Sequence, residues 1–304
     1  MLTLLAPTLA LAQAEVLGWS KDGAWFALQR TEDNGGAGGT SVGLVSAQVV
    51  GAVTGEKQDF HLKDFGGDSG EVADAKGTAA FEAWRKAHPL TKAAPARASK
   101  DGRASAEVTA KDAAVTGWSN EGGGFAFDGA LIECPDDGSA NMGGCGVKQG
   151  TLTAWLTVGG KKRPAATFMV AGRNGKVTPY WSPDGSRVAW VLEASAANPF
   201  SGEPMKVLVE FSGDGSKAVE LLADEALLKQ TAPKVASALR KAGFPPARSG
   251  KAVKPREKSV VYAASGSEAL AKQIAAAVPG GATVEALSWK TDCDVVVAVG
   301  KSAK

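Results

Sequence analysis

Trp19-Ser-Lys-Asp-Gly23 is followed by Ala-Trp-Phe-Ala-Leu28, Trp118-Ser-Asn-Glu-Gly122 by Gly-Gly-Phe-Ala-Phe127, and Trp181-Ser-Pro-Asp-Gly185 by Ser-Arg-Val-Ala-Trp190. In each copy the Gly falls four residues after the Trp, and an Ala falls eight after it: Ala27, Ala126 and Ala189. The Asp-Gly or Glu-Gly step supplies a residue that tolerates positive φ, and Pro183 presets the first turn position of the third copy. The apolar run that follows does not alternate, so each copy predicts a strand–turn–strand whose second strand is covered on both faces. The small Ala leaves a neighbouring sheet room to approach.

Further strands extend the pattern. Ser41 to Val53 is Val-rich, and Thr151 to Val158 with Ala165 to Ala171 forms a hairpin about Gly159-Gly160. Val207 to Phe211 and Ala218 to Leu222 read as another hairpin about Gly213-Asp-Gly215. A helix is predicted over 78–86, with Phe81 and Trp84 on its core face and Pro89 beyond its end. The stretch 91–112 is rich in Ala, Lys and Arg with little bulky apolar content, and is expected to be an exposed, mobile connection.

The third copy, Pro179 to Trp190, resembles the repeat of TolB-type β-propellers, whose blades carry Trp-Ser-Pro-Asp-Gly before a short apolar strand. The first, Leu17 to Ala27, resembles the opening of a family of predicted secreted proteins of unknown function. The resemblance implies a propeller-like β-rich domain over 15–222. The copies are 99 and 63 residues apart, whereas blades recur about every 40–50. An irregular or incomplete array is therefore expected rather than a regular ring.

The C-terminal quarter is different in kind. A helix runs from Pro233 to Lys241 and stops at Gly243; a strand follows at Val260 to Ala263. A second helix opens on a Ser265-x-x-Glu268 capping box and turns Leu270, Ile274 and Val278 inward. Strands are expected at Val284 to Trp289 and Val295 to Val299, the latter wholly apolar and hence central. Ala238 to Phe244, Ser259 to Tyr262, Ser267 to Ile274 and Asp294 to Gly300 resemble the C-terminal domain of LytR–CpsA–Psr proteins, over about 225–302. That domain accompanies enzymes that attach cell-wall polymers without being their catalytic part. Its usual opening strand is not recognisable here. The predicted class is α+β: a propeller-like β-rich domain followed by a small α/β domain over 228–304.

Residues 1–14 form an uncharged apolar stretch ending in Ala12-Gln13-Ala14, which fits a signal peptide cleaved before Glu15, although no basic residue precedes Lys21. A buried N-terminal strand or helix is the alternative. The expected location is exported, periplasmic or extracellular, with no transmembrane segment after cleavage. Cys134 and Cys145 lie close together in a Gly- and Asp-rich stretch and are the disulfide candidates, with three unrelated thiols as the alternative.

No complete catalytic constellation is present. His61 and His88 are the only imidazoles and neither sits in a nucleophile motif; His88 is expected to cap the helix 78–86, its charge facing the free carbonyls. Asp136-Asp137-Gly138 to Asn141 lacks the spacing of a calcium loop and reads as a solvated turn. No cofactor or metal site is expected.

Charge is more informative. Between Lys229 and Lys258 there are nine basic residues opposed by Glu257 alone, a local +8 in a chain whose total is +2. Within this basic segment (229–258), Arg240, Lys241, Arg248, Lys251, Lys254, Arg256 and Lys258 are the polyanion-binding candidates, against the plainer alternative of a solvated helix face and loop. The sequence thus points to an exported, non-enzymatic envelope protein that binds or scaffolds, contacting cell-wall polymer or another envelope protein; nucleic acid has no recognition motif here. A glycan-acting hydrolase or lyase with paired carboxylates, and a docking platform in an envelope complex, are the alternatives.

Overall fold

A computed structural model describes residues 13–33, 42–66, 70–96, 104–111, 124–126, 132–133, 146–147, 150–170, 174–194, 206–252 and 254–303. The second Trp-Ser-x-x-Gly copy, the Cys134–Cys145 pair and the Asp136 turn fall outside them.

Strands β1 (Gln13–Ser20), β2 (Trp25–Asp33), β3 (Val42–Gly51), β4 (Lys57–Gly66) and β5 (Val72–Ala73) precede helix α1 (Ala75–Ala87). Strand β6 (Leu90–Thr91) returns to pair with β1, closing a six-stranded antiparallel sheet of order β5-β4-β3-β2-β1-β6. Next come β7 (Ala104–Lys111), β8 (Gly124–Ala126), β9 (Ile132–Glu133), β10 (Gly146–Val147), β11 (Gly150–Val158) and β12 (Lys161–Val170). Then follow β13 (Asn174–Trp181), β14 (Arg187–Ala194) and β15 (Lys206–Gly213). They form a sheet β12-β11-β7, a sheet β15-β14-β13-β8 and the small pair β10-β9.

The first and third Trp-Ser-x-Asp-Gly turns are the same hydrogen-bonded object. Ser20 Oγ donates to Asp22 Oδ1 at 2.5 Å and accepts from the Trp25 amide at 2.9 Å, while Asp22 Oδ1 also accepts from the Ala24 amide. Ser182 Oγ donates to Asp184 Oδ1 at 2.6 Å and accepts from the Arg187 amide at 3.0 Å, with Ser186 donating to Asp184. Gly23 and Gly185 close the turns at φ +64° and +73°. The Ser20 hydroxyl and the Ala24 amide hold the Asp22 carboxyl below the usual range. Burial pushes Asp184 upward, but its Ser182 and Ser186 bonds outweigh that and leave it lowered.

The two turns meet. Arg187 Nη1 donates to Gly23 O, and the buried Trp19 indole donates to Tyr180 O. Trp19 packs edge-on against Phe26 at 5.2 Å and Phe211 at 5.7 Å, contacts that add about 0.5–1.5 kcal/mol each beyond their buried area. Sheet β5-to-β6 thereby lies face to face with sheet β15-to-β8, through Trp19, Phe26, Leu28 and Val50 on one side and Ala189, Val191, Val209 and Phe211 on the other. The opposite face of the latter sheet, Val177, Val188, Trp190 and Leu192, packs on Leu152, Leu156 and Phe168 of β11 and β12. The consecutive apolar runs are thus explained: β2 and β14 are covered twice. Ala189 lies beneath a sheet, as expected, whereas Ala27 lies beneath α1, against Phe81 and Trp84.

Several sequence expectations are corrected. Helix α1 begins three residues earlier than 78, because the Asp74 carboxylate caps the amides of Lys76 and Gly77. The stretch 91–112 is not a free connection where it is described. Ala96 is bonded to Pro179 O and to the Trp181 indole, and β7 pairs along its whole length with β11; alternating small residues suffice for a strand whose partner supplies the bulk. Of the expected signal peptide, residues 1–12 lie outside the described residues, while Gln13 and Ala14 pair with Thr31 and Arg30 in β1. Strand β16 (Val219–Ala223) does not form a hairpin with β15. It lies parallel to β17 (Pro246–Lys251) and β20 (Val295–Ala298), so the chain leaves the β stack near Gly213 rather than at 222. β16 is the first strand of the C-terminal sheet.

That module continues with α2 (Glu225–Gln230) and α3 (Ala232–Lys241) before β17, and with β18 (Ser259–Ala263), α4 (Glu268–Ala277) and β19 (Ala282–Ala286) before β20. Its sheet has the order β17-β16-β20-β18-β19, two parallel βαβ units set antiparallel across β20. Central β20 is buried throughout. Ser267, not Ser265, precedes α4, and no serine side chain caps it; Glu268 instead reaches back to the Gly266 amide. Val235, Leu239, Ala271 and Ile274 pack the helices on one sheet face only.

Stack and module are joined through Arg163 of β12. Its Nη1 donates to Asp294 Oδ2 at 2.7 Å and to the carbonyls of Gly215 and Ser216, while Asp294 Oδ2 accepts the Ala218 amide. Arg163→Ala leaves a largely covered carboxylate short of its donor and is expected to destabilise the full chain by about 1.5–3 kcal/mol, measured as a lower urea midpoint. An unchanged midpoint would show that this bond contributes nothing to the junction.

Candidate functional site

The seven basic candidates separate into three places. Arg240 and Lys241 end α3, where cations complement the helix dipole, and Arg240 lies 3.9 Å from Glu210. Arg248 and Lys251 sit on β17. Arg248 makes a two-pronged bond to Glu220 at 2.9 and 3.0 Å, and Lys251 pairs with Glu225 at 2.7 Å. These partners lie upstream of residue 229, so a charge count over 229–258 misses them. The local +8 overstates the free positive charge.

Lys254, Arg256 and Lys258 lie in the connection from β17 to β18, and among the described residues none has a carboxylate partner. Glu257 beside them is engaged by Lys301 at 2.6 Å. Lys254 and Arg256 border a groove of about 330 Å³ on the sheet face that the helices leave uncovered. Leu222, Ala252, Tyr262, Trp289 and Ala298 complete its lining. On the neighbouring strand, a Cβ at Gly250 would stand 3.0 Å from Leu222 Cδ2.

Tyr262 anchors the groove. Its ring is 6% exposed; Trp289 meets it edge-on at 4.8 Å, and the Arg256 guanidinium stands 5.4 Å from its centroid. Trp289 itself is 42% exposed. The sequence placed Trp289 at the end of a strand, but β19 stops at Ala286. Its partner β18 ends at Ala263, whose carbonyl takes the Leu287 amide, and Trp289 follows in irregular chain. Tyr262 and Trp289 were missed as site residues, since they stand 27 residues apart and neither lies in a charged motif.

Elsewhere the chemistry is sparse. His61 Nε2 lies 3.2 Å from Asp64, and His88 caps α1 through its backbone N–H to Trp84 O. The His88 ring packs on Trp84 at 4.8 Å and Trp25 at 5.7 Å. No Asp or Glu is among the fully buried described residues, and no helix among them is long and apolar enough to cross a membrane.

A family model described as "LytR cell envelope-related transcriptional attenuator" matches residues 229–302. The match covers α3, α4, the basic connection and the groove residues from Ala252 onward, but not β16 or Leu222, and over that span the C-terminal module is similar to this family. No curated protein and no solved structure matches the chain.

Cys293 is buried near Arg248. Burial pushes its thiol up to about 12, the nearby Arg248 charge only partly offsetting that. It is therefore a thiol at neutral pH, and reactivity resides in the thiolate. Mass mapping after iodoacetamide should find the Cys293 peptide unlabelled in the folded protein and labelled in denaturant. Rapid labelling in the native state would contradict the buried placement.

Proposed function

We propose that this is an exported, non-enzymatic envelope protein, periplasmic or extracellular, whose C-terminal module holds anionic envelope polymer on Lys254, Arg256 and Lys258. One observation carries it: these three cations lack carboxylate partners among the described residues and two of them, Lys254 and Arg256, border an open sheet face, while Arg248 and Lys251 are engaged by Glu220 and Glu225. A surface of one sign raises the local concentration of an oppositely charged polymer. The match to an envelope-related family supports that choice of partner. We read the chain as two domains, a β stack ending with β15 and an α/β module starting at β16. In the stack, face-to-face packing of successive antiparallel sheets supports a propeller-like scaffold.

The alternatives gain less support. A glycan hydrolase would bring two carboxyl groups together in a covered cleft, and the described carboxylates are all at least partly exposed. A docking platform would present a broad apolar patch on the stack, where Val72 is the one large apolar residue classed as exposed among the described residues.

Sedimentation with purified anionic wall glycan provides the test. The full chain should co-sediment at low salt and be released as salt rises. The Lys254→Ala/Arg256→Ala/Lys258→Ala variant should bind at least about tenfold more weakly, and Lys241→Ala should bind normally. Equal retention of the triple variant would remove this function from the basic connection.

A further inference from the structure

The cations alone do not explain the groove beside them. Lys254 and Lys258 would serve a polyanion as well from a flat surface, yet Arg256 borders an open apolar slot that is also lined by an exposed Trp. The slot has about 330 Å³, near the lower end of small-ligand sites at ~300–1,000 Å³. That volume suits one ring-sized group better than a protein surface. Its floor of Leu222, Ala252 and Ala298 offers aliphatic contact and no side-chain hydrogen-bonding group to read a base edge.

Two features show that the slot is held in shape. Tyr262, almost fully covered, carries both Trp289 and Arg256 on its one ring, so an aromatic plate and a guanidinium line one cavity. The neighbouring Gly250 adds no side chain beside Leu222. A ligand matching these walls needs an apolar face to lie on an indole and a negative group a few ångströms away. A sugar ring has that form: its C–H bonds present an apolar face, and a carboxylate or phosphate substituent supplies the charge.

Resting on the assignment of Lys254, Arg256 and Lys258 as an anion-binding rim, we propose that the groove between Arg256 and Trp289 is a subsite for an anionic saccharide. The sugar ring stacks on Trp289 while its charged substituent meets Lys254 and Arg256. The rim gives attraction to any polyanion; the groove gives preference for one built of sugar rings.

Calorimetry on the full chain tests this with four probes: trigalacturonate, neutral cellotriose, inorganic tripolyphosphate and uridine monophosphate. Trigalacturonate should bind tightest. Trp289→Ala should weaken it about tenfold without changing tripolyphosphate affinity, and Trp289→Phe should restore most of the loss. Trp289 is exposed and lies outside the regular strands, so these variants keep the fold; an unchanged urea midpoint verifies it. If Trp289→Ala binds trigalacturonate like the unmodified protein while Lys254→Ala/Arg256→Ala loses both anions, the rim stands and the saccharide subsite is overturned. If cellotriose binds as tightly as trigalacturonate, the requirement for charge is overturned. Tighter binding of the nucleotide would overturn the preference for sugar, and failure of every probe would overturn both groove and rim.

Discussion

Asp294 stands where the two halves of the chain are tied together. Its carboxylate accepts from Arg163 of the β stack and from the Ala218 amide at the start of β16, its amide donates to Ala218 O, and its carbonyl accepts from Ala264 just beyond β18. One residue thus sets the register at which β16, β18 and β20 begin or end, and presses that edge onto β12. A carboxylate that accepts two charged or oriented donors is far better held there than an amide or alkyl group would be. Everything downstream, including which sheet face is turned outward, follows from this fixed start of β20.

The outward face acquires its character from an imbalance. Helices α2 to α4 need only one face of the module's sheet, and the strands alternate, so every second residue of β16, β18 and β20 emerges on the other side. Among them Val260, Tyr262, Val296 and Ala298 are buried, Leu222 is partly exposed, and Glu220 brings a charge. The β17-to-β18 connection brings Arg256 over that surface, and the end of β19 brings Trp289. An aromatic and cationic groove is the outcome of strand pairing, not of a contiguous motif.

This explains which features are legible in the sequence. The Trp-Ser-x-Asp-Gly turns are, because their defining bonds span five residues or fewer, from Ser20 to Trp25 and from Ser182 to Arg187. Helix α1 and buried β20 are legible for the same local reason, a face of Phe81 and Trp84 in one and an unbroken Val run in the other. Strand β16 is not: Val219 to Ala223 reads equally well as the return of a hairpin, and only its parallel neighbours β17 and β20, far along the chain, decide against it. The basic segment was legible as charge but not as free charge, since Glu220 and Glu225 neutralise Arg248 and Lys251 across the fold. The groove was not legible at all, because Tyr262 and Trp289 are 27 residues apart and neither belongs to a charged motif.

The central claim is that ligand meets the module on the sheet face opposite its helices. Hydrogen–deuterium exchange of the full chain, with and without anionic wall glycan, addresses it directly. The account predicts slowed exchange at 254–263 and 287–290, with α3, α4 and the Trp19 and Trp181 turns unchanged. Protection confined to the β stack, or to the helix-covered face, would contradict it.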